Sequence, residues 1–192
     1  MREQESHYTV RADYLSSPDA TNVVIMPQDR RDICSWSYKV TDKCLIDRSV
    51  AFIGMSYLDR FMCTSSPGAK AALLSRKEYQ LAAVACLAIA LKSRSGIRVG
   101  TDFVSRYVCQ GLYDARELER LEVEILGALT WRLNGPSPHD FVDAIVGLIP
   151  TYCSDGATSF LVFTAKAYVE AAVLDHLMAM QPRSSLAYAA LQ

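Results

Sequence analysis

The sequence predicts an all-α protein built around one buried central helix and followed by an incomplete second helical repeat. Residues 80–92 predict the central helix, because they are rich in Ala and Leu and carry no charge before Lys92. Ala and Leu are strong helix formers, and a helix that is apolar on every side belongs in the middle of a domain. The run is about 12 residues long, whereas a helix needs about 20 to span a bilayer. We therefore expect other helices to pack around it on all sides.

A first helix is predicted over residues 29–44. Apolar side chains, among them Ile33 and Trp36, recur there at three- and four-residue spacing, and Asp29 stands where an N-cap is expected. Trp36 faces inward in this pattern, and simple core packing explains it equally well.

A second helix is predicted over residues 48–63, where the apolar stripe is interrupted near its end by Asp59 and Arg60. The simplest interpretation of these two charges is an ion pair within the domain. Residues 64–74 contain Ser-Ser-Pro-Gly and then Ala-rich sequence, and they are expected to form a loop, with at most a turn of helix, before the central helix.

Two more helices are predicted after the central one. A short helix begins at residue 100 and ends at Gly111, and the capping-box spacing of Asp114 and Glu117 then opens a fifth helix. Glu122 lies on the inner face of this fifth helix, within its apolar row.

A linker rich in Gly and Pro marks the clearest boundary, at residues 135–138. Beyond it the helical pattern restarts with two helices, over residues 139–149 and about 157–179, and the opening of an Ala-rich third. The expected organisation is a loose N-terminal arm over residues 1–26, a first domain over 27–136 and a partial second domain over 137–192.

Composition favours a binding protein over an enzyme. Twenty Lys and Arg against 21 Asp and Glu give a net charge of −1, which is not the basic face expected of a nucleic-acid binder. The histidines, at positions 7, 139 and 176, are too scattered for a metal site. We expect no cofactor, no metal, no nucleic-acid partner and no membrane-spanning segment.

Lys92 and Glu122 form the most informative pair of charges. An inward carboxylate needs a partner, because an unpaired buried charge costs several kcal/mol. Lys92, the first charge at the end of the central helix, is well placed to supply it. The alternative is that Lys92 extends into solvent and Glu122 lies on the flank of its helix.

Taken together, these motifs resemble the cyclin box over about residues 28–138. The residues that carry the resemblance are Trp36, Ser56-Tyr-Leu-Asp-Arg-Phe61, Gln80 to Lys92, Leu121 to Trp131, and Pro136-Ser-Pro138.

The resemblance implies a regulatory subunit that binds and activates a cyclin-dependent protein kinase in cell-cycle control. Cyclins pack helices 3 and 5 against the PSTAIRE-type helix of the kinase, and the lysine and glutamate of that contact correspond to Lys92 and Glu122. A nuclear or cytoplasmic location would follow, and which kinase is bound stays open.

One departure from the family pattern follows the lysine. Many cyclins have an aromatic and two acidic residues there, whereas this chain has Ser93-Arg94-Ser95. The local charge is therefore reversed, which bears on kinase choice and affinity.

A second departure concerns the substrate-docking groove on helix 1. Arg30, Ile33 and Trp36 match its pattern, but Asp29 and Asp32 replace two of its apolar positions. A weak groove is expected.

Two other functions remain open at this stage. A degenerate cyclin box could act as an adaptor without activating a kinase. The same fold also occurs in transcription factors that grip DNA and a polymerase, although the net charge of −1 disfavours that function.

Overall fold

The computed structural model describes residues 1–10, 13–15, 23–94, 100–148 and 155–192. Every regular element within these ranges is helical, which confirms the predicted all-α class. The helices are α1 (Arg2–Glu5), α2 (Pro27–Lys43), α3 (Ser49–Met62), α4 (Pro67–Leu74), α5 (Arg76–Arg94), α6 (Thr101–Phe103), which continues as a π-helix (Val104–Val108), α7 (Ala115–Ala128), α8 (Pro138–Val146), α9 (Asp155–Leu174), α10 (His176–Ala179) and α11 (Arg183–Ala190).

Contacts divide the chain into two compact units. The central unit is Val10–Leu133, and the terminal unit combines Met1–Thr9 with Asn134–Gln192. The division falls close to the Gly-Pro linker. The first nine residues, however, belong to the terminal unit instead of to a loose arm.

Helix α5 is the core of the central unit. Residues 81–91 are all buried, and α3, α4 and α7 pack against them. Gly54 of α3 lets two backbones approach closely, because a Cβ at that position would lie only 3.1 Å from the Cα of Leu87. The Ala-rich sequence that predicts the central helix is thus matched by a glycine on its neighbour.

The segment over residues 64–74, predicted as a loop with at most a turn of helix, contains the eight-residue helix α4. Ser66 caps this helix, its Oγ accepting a hydrogen bond from the Ala69 N–H at 3.3 Å, and Pro67 occupies the first position. A capping serine, a proline at the first position and an Ala-rich run are together a helix signal. The Ser-Ser-Pro-Gly sequence is therefore a helix start.

The predicted N-cap of the first helix is displaced. Helix α2 begins at Pro27, and Asp29 lies in its first turn, where its carboxylate accepts a hydrogen bond from the Met26 N–H at 2.8 Å. By contrast, the predicted capping box of the fifth helix is confirmed, since Glu117 Oε2 accepts from the Asp114 N–H at 3.0 Å.

In the terminal unit, α8, α9 and α11 pack against one another. Two side chains tie the first residues to α11. The Glu5 carboxylate accepts hydrogen bonds from the N–H and Oγ of Ser184 at 2.9 and 2.7 Å. Arg183 donates to the carbonyls of Pro136 at 2.8 Å and Tyr8 at 3.1 Å.

The predicted long helix 157–179 is interrupted, because α9 ends at Leu174 and Asp175 caps the short α10. Within α9, Phe160 and Phe163 are largely exposed. No membrane-spanning run is expected from the sequence, yet Gly156–Leu174 is long and apolar enough to cross a membrane, with a mean hydropathy of 1.3 and only 17% of the segment buried. A single helix that meets these criteria of length and composition is weak evidence for a membrane.

Candidate functional site

Lys92 and Glu122 form an ion pair between α5 and α7. Lys92 Nζ lies 2.8 Å from Glu122 Oε1 and 2.7 Å from Oε2. Their side chains are 34% and 11% exposed, so the pair lies at the edge of the core with one side open to solvent. The structure thus forms one of the two arrangements that the sequence leaves open, the ion pair, and Lys92 does not extend away from the carboxylate.

Neighbours on α7 explain the orientation of Glu122. Leu118 and Ile125, one turn away on either side, are fully buried. Their burial turns the same face of α7, and with it the Glu122 carboxylate, toward α5. Lys92 lies in the last turn of α5, where a cation interacts favourably with the carboxyl end of a helix.

A second ion pair lies inside the central unit, between Arg30 of α2 and Asp59 of α3. Arg30 Nε donates to Asp59 Oδ1 at 2.9 Å and Nη2 donates to Oδ2 at 2.8 Å. The Tyr14 hydroxyl also donates to Oδ1 at 2.9 Å and lies 3.2 Å from the Tyr79 hydroxyl. The two charged side chains are only 1% and 4% exposed.

Burial and the ion pair shift the pKa values of three groups in this region, Arg30, Tyr14 and Cys34. Burial lowers the pKa of Arg30, but the Asp59 carboxylate more than offsets that effect, and the pKa rises above its usual value. Burial raises the pKa of Tyr14, and it raises that of Cys34, one turn after Arg30, to about 12. The arginine is therefore charged, and the phenol and thiol are neutral, at physiological pH.

The docking-groove prediction needs a correction at Arg30. The guanidinium is enclosed by the domain and engaged by Asp59, so it does not line a surface groove. Ile33 and Trp36 are half-buried on the same helix and stay candidates for that surface. The sequence signal for the buried pair is a cation and an acid that each interrupt an otherwise apolar helix face.

The predicted ion pair at Asp59 and Arg60 also differs from the structure. Asp59 turns inward to Arg30, whereas Arg60 Nη1 donates to the carbonyl of Arg132 at 2.9 Å. Adjacent residues on a helix point in different directions, and here they serve different contacts.

The two aspartates of the groove have local partners. Asp29 Oδ1 lies 2.9 Å from Arg76 Nε, and Asp32 Oδ1 accepts from Gln28 Nε2 at 2.7 Å. Two carboxylates thus precede Ile33 and Trp36 on α2, in keeping with a weak apolar groove.

Sequence reasoning overlooked the contacts that hold the chain after α7. The Tyr57 hydroxyl donates to the Leu133 carbonyl at 2.7 Å. Thr130 and Trp131 adopt left-handed backbone conformations, with φ of 51° and 57°, and the Trp131 side chain is 69% exposed. Such backbone conformations are uncommon for residues other than glycine, and no local sequence pattern predicts them here.

Comparison with known proteins is consistent with this architecture. The family model "Cyclin, N-terminal domain" matches residues 1–134. The fold is similar to the solved structure of a viral cyclin from herpesvirus Saimiri, with a TM-score of 0.70 and 21% sequence identity. The similarity covers 87% of this chain and 69% of the viral cyclin chain. The protein thus has the all-α cyclin fold. The chain belongs to the cyclin family.

The curated relatives that it matches include D-type cyclins. It is 28% identical over 163 residues to G1/S-specific cyclin-D2 of Rattus norvegicus. The matched region covers 85% of this chain and 53% of that protein. It is 30% identical over 141 residues to Cyclin-D1-1 of Arabidopsis thaliana, covering 73% of this chain and 40% of that one. The chain therefore spans about half the length, or less, of these relatives.

Proposed function

We propose that this chain is a cyclin-type regulatory subunit that binds and activates a cyclin-dependent protein kinase in cell-cycle control, without catalysis of its own. The observation that carries the proposal is the Lys92–Glu122 pair, which joins α5 to α7 at 2.7 and 2.8 Å and stays open on one side. These two helices and these two residues are those expected from the cyclin resemblance.

The chemistry of the pair suits a protein partner. An ammonium group has three N–H donors, of which Glu122 accepts two, and a carboxylate can accept about four hydrogen bonds. The remaining donor and acceptor sites can bind backbone groups of a helix laid across α5 and α7. Because the ion pair is already formed, little side-chain entropy is lost when the partner docks.

The kinase would supply the active site. A PSTAIRE-type helix held against α5 and α7 would place its glutamate to orient the ATP-binding lysine of the kinase. Names such as "G1/S-specific cyclin-D2" among the relatives support a role in cell-cycle control. Action on such a kinase would place the protein in the nucleus, the cytoplasm or both.

One observation favours a second candidate, an adaptor that does not activate a kinase. Ser93 and Arg94 follow the lysine where many cyclins carry an aromatic and an acidic residue, and both are exposed. Ser95, the third residue of this departure, lies outside the described residues. An altered contact beside Lys92 could preserve binding and lose activation.

The test compares Lys92→Ala and Glu122→Ala with a matched control. Tagged chains are recovered from cells, and the bound kinase is identified by mass spectrometry and assayed for activity. We expect each variant to lose at least about tenfold of the bound kinase, since a lost charge-assisted hydrogen bond costs about 1.5–3 kcal/mol. Lys166→Ala is the control, because Lys166 pairs with Asp143 in the terminal unit.

Three outcomes separate the candidates. Loss of binding in both variants, with the control unaffected, supports the proposal. A wild-type chain that binds a kinase without activating it supports the adaptor. Wild-type binding and activation by both variants would contradict the role of the pair.

A further inference from the structure

The outward side of helix α9 forms a continuous apolar surface. Residues at three- and four-residue spacing lie on one side of a helix, and six such residues of α9 are exposed or half-buried. This surface, here called the α9 face, consists of Phe160, Phe163, Thr164, Ala167, Tyr168 and Ala171. On the opposite side of the helix, Ala165, Val169 and Val173 are buried.

The charged side chains of α9 are used away from this face. Between residues 156 and 174 the sequence has two charged residues, Lys166 and Glu170. Lys166 Nζ lies 2.8 Å from the Asp143 carboxylate, and Glu170 Oε1 lies 3.4 Å from His139 Nε2. Both partners belong to α8, so both charges serve contacts inside the terminal unit. The α9 face itself is uncharged, and a partner can cover it without removing an ion from water.

The exposed area of the α9 face is close to what a dimer needs. Phe160, Phe163 and Tyr168 are 70%, 73% and 63% exposed. Because an aromatic side chain buries about 150–250 Å² when it is covered, these three expose about 400 Å² together. Two such faces packed together would cover about 800 Å² of aromatic surface, and the smaller residues bring the total near the ~1,000 Å² of a specific interface. An interface of this size is typical of reversible association.

The α9 face is also self-complementary. Phe160 and Ala171 lie equally far from the point midway between residues 165 and 166, and so do Phe163 and Tyr168. In two antiparallel copies of α9 related by a twofold axis at this point, the members of each pair lie opposite each other. Phe160 then meets the small Ala171, and Phe163 meets another aromatic ring.

We infer that the α9 face joins two copies of this chain in an antiparallel dimer with twofold symmetry. The uncharged surface, its area and the pairing of large with small side chains together favour a second copy as the partner. The inference goes beyond the proposed function, because the contact lies on the terminal unit and involves neither Lys92 nor Glu122.

The test measures self-association of the full chain by sedimentation equilibrium over a series of concentrations. We expect the wild-type chain to form a concentration-dependent dimer. Phe160→Ala should weaken the dimer at least about tenfold, because a large apolar contact is lost. Ala171→Phe should weaken it by a similar factor although it makes the face more apolar, because two phenylalanines then meet where one fits. Phe160→Ala combined with Ala171→Phe exchanges the two residues and should restore the dimer.

The matched control is Phe103→Ala, which removes an exposed aromatic ring from the central unit. It should leave the dimerisation constant within about twofold of wild type, because distant sites act independently. Residues 103, 160 and 171 are all exposed, so thermal melting should show that each variant stays folded.

Each outcome decides for or against the dimer. Recovery by the exchange, with the control unaffected, supports the inference. A wild-type chain that is monomeric at every concentration overturns it, and so does an exchange variant that associates as weakly as the single variants. Stronger association of Ala171→Phe would also overturn it, because apolar surfaces would then adhere without a defined register. A monomer that binds phosphatidylcholine vesicles through Phe160 would overturn the dimer in favour of a lipid surface.

Discussion

Two of the ion pairs in the central unit have similar chemistry but opposite surroundings. Arg30 and Asp59 are 1% and 4% exposed and meet through two hydrogen bonds in the core. Lys92 and Glu122 are 34% and 11% exposed and meet at the edge of the core. The first pair is closed, since Tyr14 occupies a further site on the carboxylate. The second pair is open, since part of it faces solvent.

This difference separates a structural role from a binding role. A buried pair must use its hydrogen-bonding groups within the domain, because each unsatisfied group would cost free energy. An open pair keeps donors and acceptors for a partner. We therefore expect changes at the first pair to act on folding, and changes at the second to act on recognition.

The largest expected effect follows from Asp59→Ala. Loss of the carboxylate leaves the Arg30 cation buried without its partner, which typically costs about 3–5 kcal/mol. Chemical denaturation measures the change in the free energy of unfolding. The control is Asp42→Ala, because Asp42 and Arg48 form a half-exposed pair at 3.1 Å whose loss should cost about 1 kcal/mol or less. If Asp59→Ala lowers the free energy of unfolding as little as Asp42→Ala does, the Arg30–Asp59 pair does not have the structural role that distinguishes it from the Lys92–Glu122 pair.

The buried cluster should also respond to alkaline pH. Burial holds the pKa of Cys34 at about 12, above its ordinary value of 9.0. A group with a raised folded-state pKa stabilises the fold fully below its unfolded pKa, and this contribution is lost as the pH rises from 9 toward 12. The loss should approach about 1.4 kcal/mol per pH unit in that window.

Comparison of wild type with Cys34→Ala isolates this contribution, because the tyrosines titrate in both proteins. Unfolding free energies at pH 8, 9, 10 and 11 should fall less steeply for the variant. Parallel curves would show that the thiol is not held neutral by the fold.

A smaller effect is expected at the surface of α2. A short Arg-x-Leu peptide should bind weakly, and Asp32→Leu should improve its affinity by at most about 1.5 kcal/mol, since an added leucine would be only partly covered. Asp29→Leu should instead destabilise α2 by about 1 kcal/mol, because Asp29 accepts the Met26 N–H. Calorimetry with the peptide measures the first effect and thermal melting the second. A tight complex with the unmodified chain would contradict a weak groove.

Periodicity and capping patterns predicted much of the central unit. The apolar run of α5, the capping box of α7 and the inward position of Glu122 depend on local sequence, and local sequence is enough to find them. The same reasoning allowed no more than one turn of helix at α4, because Ser-Ser-Pro-Gly is typical both of a loop and of a helix start.

The remaining differences arise from contacts between distant parts of the chain. Arg30 and Asp59 meet across two helices, and Glu5 meets Ser184 across most of the sequence. Helical spacing shows which face a residue occupies but not which distant side chain lies opposite. For that reason the sequence assigned Arg30 to a groove and the first residues to a loose arm.

The most direct test of partner recognition by the Lys92–Glu122 pair exchanges the two residues. In Lys92→Glu combined with Glu122→Lys the two charges still face each other, so the free energy of unfolding should stay within about 1 kcal/mol of wild type. The donor and the acceptor have changed places, however, so a partner that hydrogen-bonds to each of them at its wild-type position should no longer bind. We expect at least tenfold less co-purified and activated kinase than with the wild-type chain. A swapped protein that binds and activates the kinase at the wild-type level would show that the Lys92–Glu122 pair does not recognise the partner.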